Sequence, residues 1–516
     1  LLLRENPMPA TTGRVCYHPC EGACNRRQFD EAVSIHAVER MLGDAALDFR
    51  PAPPAPAARR PESAAIVGSG PAGLSCAWHL ARLGYRVTIF EAAAEPGGML
   101  RLGIPSYRLP RAILDAEIDR IRAAGVEILC NRTAGLDPSV DDLNRFDAVF
   151  AGPGLHRSRT LGLRGERLRG VMPGIAFLRE VNSGRRASIG RRVVIVGGGN
   201  TAVDCARSAL RLGAEPVVVY RRGRDEMPAF DEEVRDAERE GASFIFLAAP
   251  VRLRSRAGRV YGADFARMKL GLPDASGRRA PIAIPGDRFF LQSDLVLTAI
   301  GEELDAQGLP PGIDHGGIVR FGDLGETVRP GLFAGGDVLA GPRTVAEALG
   351  SGKRAAIGID RHLRRLAGQP PDLPEVPEIR FGPMGNVSIT RWRRDDPIRR
   401  QEPLNQVIGF DRLNTAHFEH ALRHEDRHAP ASARRLSFME VNAGLAKDAA
   451  LAEAARCFNC GVCNQCELCQ VFCPDVAIAR RPDGAGMMTD YDYCKGCGLC
   501  SCECPRGAVT MTREDS

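Results

Sequence analysis

The chain has 516 residues, 44% hydrophobic and 26% charged, with a formal net charge of +5. That is ordinary globular composition for about three to four domains, and so small and interspersed a charge argues against a dedicated nucleic-acid binder. No apolar run reaches the roughly 18–20 residues of a membrane span, and no stretch reads as a signal peptide.

The chain starts LLLRENPMPA, without Met, and this apolar start reads as the tail of a helix. An N-terminally incomplete chain is therefore expected. Residues 1–50 carry Cys16, Cys20 and Cys24 in C-x3-C-x3-C spacing, followed by the helical pattern DEAVSIHAVERML. Residues 51–62, Pro- and Ala-rich, read as a linker. Next comes SAAIVGSGPAGLSCAWHLARLGYRVTIFEA, a strand, a glycine turn, an amphipathic helix and a second strand. Gly68, Gly70 and Gly73 form G-x-G-x-x-G between strand and helix. The first glycine permits the turn, the second admits a pyrophosphate, and the third lets helix and strand pack closely. Glu91 ends the next strand, where a carboxylate accepts from ribose hydroxyls. The Gly-Gly segment of EPGGMLRLGIPSYRLP points to FAD. Asp337, in PGLFAGGDV, is either a flavin-closing acid or a plain helix cap.

The same order recurs in RRVVIVGGGNTAVDCARSALRLGAEPVVVYR. Gly197, Gly199 and Ala202 form G-x-G-x-x-A. The following strand ends in Tyr220, Arg221 and Arg222 where the first loop has an acid. Guanidinium groups there suit the 2′-phosphate of NADP(H) better than NAD(H); the alternative is that they face solvent or pair with Asp225 and Glu226. Gly301, in TAIGEE, is a candidate for the nicotinamide end. The expected fold is therefore α/β with two Rossmann-like domains: FAD-binding at 63–185 and 300–366, NAD(P)H-binding at 186–299. Residues 367–455 read as a linking or wrapping segment, and RWRRDD within it as a solvated surface.

Eleven of the 17 cysteines lie between Cys457 and Cys504. Bunching at such short spacings serves metal centres rather than disulfides, and points to a reducing compartment, the cytoplasm. Cys463, Cys466, Cys469 and Cys473 form C-x2-C-x2-C-x3-C-P, and each ligand recurs 31 residues on at Cys494, Cys497, Cys500 and Cys504. In such duplicated runs the fourth cysteine ligates the other cluster. Residues 456–516 should thus form an α+β ferredoxin-like module with two [4Fe–4S] clusters, on Cys463, Cys466, Cys469 and Cys504, and on Cys494, Cys497, Cys500 and Cys473. Zinc also takes thiolates, but a closed zinc site does not need this duplication. Cys457, Cys460 and Cys502 are left over and read as free thiols; Cys76, Cys130 and Cys205 read as small core residues. The N-terminal trio is one thiolate short of a cubane, with His18 a weak candidate for the fourth ligand.

NPMPATTGRVCYHPCEGACN, VGSGPAGL, VVIVGGGNTAVDCAR, YRRGRDEMPA and LFAGGDVLAGPRTVAEALGSGKRAA together resemble the small, NADPH-oxidising subunit of bacterial glutamate synthase and its relatives. The resemblance implies FAD contacts at Gly68, Gly70, Gly73, Glu91, Gly98, Leu100, Asp337 and Val345. It implies NAD(P)H contacts at Gly199, Asn200, Thr201, Arg221 and Arg222. It also implies a further [4Fe–4S] cluster on the N-terminal trio, completed by a cysteine upstream. The ferredoxin module departs from that subunit. With FDRLNTAHFEHALRHE and LSFMEVNAGL, it is more similar to the DsrL type of iron–sulfur flavoprotein, which exchanges electrons between NAD(P)H and dissimilatory sulfite reductase. The expectation is an NAD(P)H:acceptor oxidoreductase whose flavin splits hydride into single electrons for a sulfite reductase, a ferredoxin or another iron–sulfur enzyme. The alternatives are the glutamate synthase subunit itself and a non-catalytic electron-transfer subunit. A homodimer is left open.

Overall fold

A computed structural model describes the chain apart from residues 1, 50–58, 186–188, 275–276, 305–313, 316–317, 320–321, 369–375, 382–385, 394–406, 483, 485 and 514–516. Most of the expected 51–62 linker lies outside the described residues. The chain divides into two compact units, one of Arg50–Ile359 and Arg427–Ala443, the other of Leu1–Phe49, Asp360–Asp426 and Gly444–Ser516.

The first unit is built on two five-stranded sheets. One runs, in spatial order, Leu332–Ala334, Ala148–Ala151, Ser63–Val67, Arg86–Glu91, Val126–Cys130, all parallel. The other runs Val171–Pro173, Leu295–Thr298, Arg192–Val196, Glu215–Val219, Ser243–Ile245, again all parallel. The central strands read AAI and VVIV because they are buried on both faces, as parallel sheets covered by helices require. In each sheet the glycine-loop strand is flanked by its successor on one side and a distant strand on the other. That reversal opens a crevice at the strand's carboxyl end, where open α/β sheets take their ligands. A three-stranded antiparallel meander of Ala248–Arg256, Arg259–Pro273 and Arg279–Gln292 is inserted in the second half.

The two halves of this unit are joined by a buried ionic cluster. Glu240, fully buried, accepts from Arg207 at 2.6 Å and from Arg211 at 2.7 Å. Arg211 lies 3.8 Å over the ring of Tyr107, and the neighbouring Arg108 pairs with Asp204 at 3.0 Å and Glu233 at 2.8 Å. Every charge in the cluster faces an opposite one, which is the condition for burying it at tolerable cost. The wrapping segment closes over the same place: the Val441 N–H donates to the Tyr107 carbonyl at 2.9 Å, and Arg434 pairs with Asp236 at 2.9 Å.

The second unit brings the chain's two ends together. Helices Pro9–Val15 and Ile35–Phe49 cross where glycines let the backbones touch: a Cβ on Gly43 would lie 2.3 Å from the Ala10 nitrogen, and one on Gly13 2.5 Å from the Arg40 Cα. Residues 407–426 pack beside them and supply Phe418, whose ring is 4.4 Å from that of the buried Phe458. The C-terminal module has two short helices, Leu468–Val471 and Leu499–Cys502, and a hairpin of Ile478–Arg480 with Met487–Thr489. The expected solvated RWRRDD run starts otherwise: Trp392 is buried and its indole N–H donates to Asp360 at 2.8 Å. Its last three residues are not among those described.

Candidate functional site

The first glycine loop is held from beneath. Gly68 has φ +90, and a Cβ there would meet the Gly152 carbonyl at 2.5 Å; at Gly73 it would meet the Gly68 carbonyl at 1.9 Å. Gly70, the cap of helix Pro71–Arg82, is different: a Cβ there would meet nothing within 4 Å. The loop is thus crowded on its protein side and open where a pyrophosphate approaches, with a helix N-terminus behind it. Glu91, 8% exposed, accepts from the backbone N–H and hydroxyl of Ser69 and from the Ala93 N–H at 2.8 Å. These bonds aim the carboxylate at the loop. Gly98 packs on Gly70, since its Cβ would lie 2.7 Å from the Gly70 Cα, and Leu100 is buried in the turn that follows. Across the same sheet, Asp337 follows strand Leu332–Ala334 in a 3-10 turn anchored by the Gly336 N–H donating to Ser351 at 2.8 Å. Burial raises the Asp337 carboxyl above the usual range, with Arg343 opposing. Val345 starts helix Val345–Leu366 a few residues on.

The second loop repeats this construction. Gly197 has φ +150 and its Cβ would meet the Ala299 carbonyl at 2.1 Å, while Gly199, capping helix Asn200–Arg211, is open. Asn200 accepts from the Phe230 N–H at 3.0 Å, Thr201 occupies the first turn, and Ala202 is fully buried against the sheet. Gly301, φ +103, lies beyond the end of strand Leu295–Thr298, beside the same loop's strand. The two arginines part company. Arg221 is exposed. Arg222 is 2% exposed, donates to the Arg279 carbonyl at 2.8 Å and pairs with Asp274. Arg222 is therefore tied into the meander, and the expected pair of guanidinium forks reduces to Arg221.

In the C-terminal module the crossed cysteine assignment has a geometric counterpart. A cavity of about 270 Å³ is lined by Cys463, Cys466, Cys469 and Cys504. Burial pushes the Cys469 thiol up to about 11, and Cys463, Cys504 and Cys466 add to the shift. Cys500 is raised by burial, with Cys497, Cys494 and Cys473 adding to it. Four thiols about one cavity fit a cubane cluster, and the fourth cysteine of each run stands with the other run's first three.

Cys20 is pushed up to about 11 by burial, then by Glu21, Cys16 and Glu39. Cys16 likewise is raised by burial, with Glu39 and Glu21 adding to it. Glu39 is a carboxylate that sequence reasoning passed over. It is half-buried on helix Ile35–Phe49 and accepts from Asn6 at 2.7 Å; the only sequence signal was an acid on the inner side of the helical pattern. Burial raises the Cys460 thiol, and Asn25, the residue after Cys24, opposes the shift by donating to its sulfur at 3.3 Å. His18 turns its ring onto His36 at 4.2 Å and its Nδ1 to the Cys16 carbonyl at 3.3 Å. His18, Glu21 and His36 lie close enough to hold an ion. Both ring nitrogens of His36 are already on carboxylates, Glu21 at 2.8 Å and Asp426 at 3.2 Å. Burial alone would lower its pKa; the two carboxylates outweigh that and hold it at about 9, an imidazolium and not a ligand.

Comparison with known proteins follows these features. A family model described as pyridine nucleotide-disulphide oxidoreductase matches residues 62–352, and one described as dihydropyrimidine dehydrogenase domain II, 4Fe-4S cluster, matches residues 1–50. The chain is 41% identical over 490 residues to the NADP(+)-dependent formate dehydrogenase subunit beta of Moorella thermoacetica, covering 89% of this chain and 66% of that one. It is 38% identical over 498 residues to the NADPH-Fe(3+) oxidoreductase subunit beta of Geobacter sulfurreducens, covering 89% and 70%. It is 34% identical over 389 residues to the glutamate synthase [NADPH] small chain of Escherichia coli, covering 69% and 81%. The chain thus spans about two thirds of the length of the first two relatives. The glutamate synthase resemblance is borne out at family level; closeness to DsrL is not shown by these relatives. No helix among the described residues is long and apolar enough to cross a membrane. Two dinucleotide loops in two parallel sheets, with a [4Fe–4S] domain ahead of them, make this chain an oxidoreductase that binds FAD and NADPH, a member of the pyridine nucleotide-disulphide oxidoreductase family.

Proposed function

We propose that the chain is the NADPH-oxidising, electron-distributing subunit of a larger redox enzyme, accepting hydride at one end and delivering single electrons to a partner at the other. The observation that carries this is the coexistence, in one chain, of two open glycine loops and a thiol-lined cluster cavity. FAD, when bound, supplies the chemistry that links a two-electron hydride donor to one-electron clusters. The residues supply the rest. Gly70 and Gly199 leave backbone bare for the two pyrophosphates, Glu91 is aimed by Ser69 toward the first ribose, and exposed Arg221 meets the 2′-phosphate of NADPH. Asp337 and Val345 place a carboxyl and a helix start on the flavin side of the first sheet. No side chain of the nucleophile or general-base kind is needed for hydride transfer.

The partner we propose is a catalytic subunit. Two of the relatives are named as beta subunits, one of a formate dehydrogenase and one of an NADPH-Fe(3+) oxidoreductase, and the match runs over 89% of this chain in both cases. A dissimilatory sulfite reductase is the second reading, favoured by the FDRLNTAHFEHALRHE stretch and the fused ferredoxin module. The test is anaerobic. NADPH should bleach the flavin band, and cluster signals should follow in EPR; affinity capture with the full chain should then retrieve a redox enzyme. Protein with full FAD that NADPH does not bleach would sink the proposal, whereas activity with a glutamate synthase large subunit would redirect it.

A further inference from the structure

The duplication of the C-terminal module extends to the turns after its two Cys-Pro pairs. Cys473 and Cys504 each accept, at 3.3 Å, the N–H of the residue four places on, Ala477 and Ala508. In both turns the residue just before that donor is left-handed: Val476 at φ 51 and Gly507 at φ 59. The turns differ in what lies over them. At the second, residues 408–417 cover the chain. Asn414 donates to the Cys502 carbonyl at 2.9 Å, His417 meets Glu503 at 3.2 Å, and a Cβ on Gly507 would lie 2.2 Å from Ile408 Cδ1. The positions 31 residues earlier are Val471, Phe472 and Val476, and all three stand exposed.

The bare turn belongs to an apolar patch. Val471, Val476, Tyr491 and Tyr493 are each 67–77% exposed, with Phe472 among them. The patch is continuous across the two runs: the Asp490 N–H donates to the Ala477 carbonyl at 2.7 Å, and Lys495 pairs with Asp475 at 2.8 Å. It flanks Cys473 and Cys494, which the duplicated pattern assigns to one cluster. Val476 is unfavourable there twice over, as a β-branched residue in the left-handed region and as an apolar side chain in water. Glycine avoids both costs, as Gly507 does in the equivalent turn. A side chain that costs folding free energy and stays bare is explained by a contact outside the chain. The rim of the patch is acidic. Lys495 and Asp475 cancel, while Asp490 and Asp492, both exposed, pair with no cation among the described residues, in a chain of net charge +5.

We propose that Val471, Phe472, Val476, Tyr491 and Tyr493, rimmed by Asp490 and Asp492, are the face on which a one-electron redox protein docks, a partner that presents Lys and Arg around an apolar centre. This rests on the reading of the chain as an electron-distributing subunit and adds which end of the module is the outlet. The Cys473 side is bare, while the turn after Cys504 is covered by the chain's own residues 408–417. Charge complementarity selects the occupant. The two unpaired carboxylates attract a basic rim and repel an anionic membrane surface. A second copy docked through the same face would set carboxylate against carboxylate.

The full chain, loaded with FAD and iron, is tested with two acceptors: cytochrome c, a basic one-electron protein, and ferricyanide, which needs no docking. NADPH-driven reduction of each is compared in the wild type, V476G, V471E/V476E and D490N/D492N. The KM for cytochrome c should rise about tenfold in V476G and V471E/V476E. In D490N/D492N it should rise about threefold at low salt, an effect that fades at high salt. Ferricyanide rates and iron content should hold throughout. V476G copies the glycine of the second turn, so its unfolding midpoint should not fall, which separates docking from folding. Independently of turnover, oxidised cytochrome c should slow hydrogen exchange at 471–477 and 490–493 of the wild type. An unchanged KM for cytochrome c in V471E/V476E, or protection only elsewhere, would overturn the proposal. So would a wild-type dimer that V471E/V476E dissociates, since the face would then belong to a second copy. A wild type that reduces neither acceptor would sink the reading beneath the proposal and leave the exchange measurement to decide the face.

Discussion

Arg221 and Arg222 are adjacent in sequence, but the first is exposed and the second buried. Replacing Arg221 with Ala should remove one charge-assisted contact to the 2′-phosphate. Such bonds are worth about 1.5–3 kcal/mol, and the exposure of Arg221 puts it at the low end. A loss of about 1.5 kcal/mol is about tenfold in KM for NADPH. NADH lacks the phosphate, so its KM should not change, and the NADPH preference should fall by the same factor. Arg222→Ala breaks a buried arrangement instead: its bond to the Arg279 carbonyl and its pair with Asp274. The Asp274 side chain is 34% exposed, so water relieves part of the loss and the cost is about 1–2 kcal/mol of stability. The KM for NADPH should stay within about twofold. Steady-state kinetics with both nucleotides and urea unfolding of both variants make the comparison. If Arg222→Ala cost tenfold in NADPH affinity with stability intact, or Arg221→Ala left the nucleotide ratio alone, the assignment would be wrong.

Three further outcomes are expected. Glu240→Gln strips the charge that faces Arg207 and Arg211 in a fully buried site, and should cost about 3–5 kcal/mol in chemical denaturation. Burial raises the Glu240 pKa, but the two arginines outweigh it and leave it lowered. Its stabilisation is therefore present above the ordinary glutamate range and lost as pH falls through the depressed value, so the variant should show a flatter acid limb. Gly352→Ala would set a Cβ 2.1 Å from the Ala72 carbonyl, pushing helix Val345–Leu366 off helix Pro71–Arg82; purified protein should carry less FAD per chain. Cys504→Ser should abolish the cluster on Cys463, Cys466 and Cys469 and spare the one on Cys473, Cys494, Cys497 and Cys500, read by Mössbauer quantitation.

What could be read in advance had short-range causes. A glycine loop between two strands is a local backbone demand, so both dinucleotide loops were legible, and so was the meeting of Cys504 with Cys463, Cys466 and Cys469, because duplication repeats their spacing. Arg222 was misplaced because residues past the end of strand Glu215–Val219 turn to opposite faces, and only the tertiary packing of the meander says which face is inward. Nothing in the C-x3-C-x3-C run reports that Asn25, the residue after Cys24, bonds to Cys460, more than four hundred residues away. Glu39 was hidden for another reason: an acid on a helix is the commonest of surface residues, and its inward aim depends on the close crossing that Gly13 and Gly43 allow.

The module's backbone carries a consequence for its stability. Of the eight non-glycine residues at positive φ among those described, four lie between positions 459 and 476: Asn459, Gln465, Glu467 and the β-branched Val476. A left-handed L-residue costs about 1–2 kcal/mol, so these four together cost about 4–8 kcal/mol. That is comparable to the whole stability of a small domain, and the module has little core to set against it, with Cys469, Ala477 and Ile478 its few buried apolar residues beyond Phe458. Where glycine serves, as at Gly507, which takes the place of Val476 in the second run, the cost disappears, yet the first run keeps its side chains. Metal ligation is the term large enough to offset the rest. Stripping iron should then open the Gly461 to Arg506 and Asp490 to Ala477 backbone bonds to rapid hydrogen exchange, while Val193–Val196 stays protected. Protection of the module that survives complete loss of iron would show that the fold holds these turns unaided, and that their left-handed residues are a cost met by packing and not by the clusters.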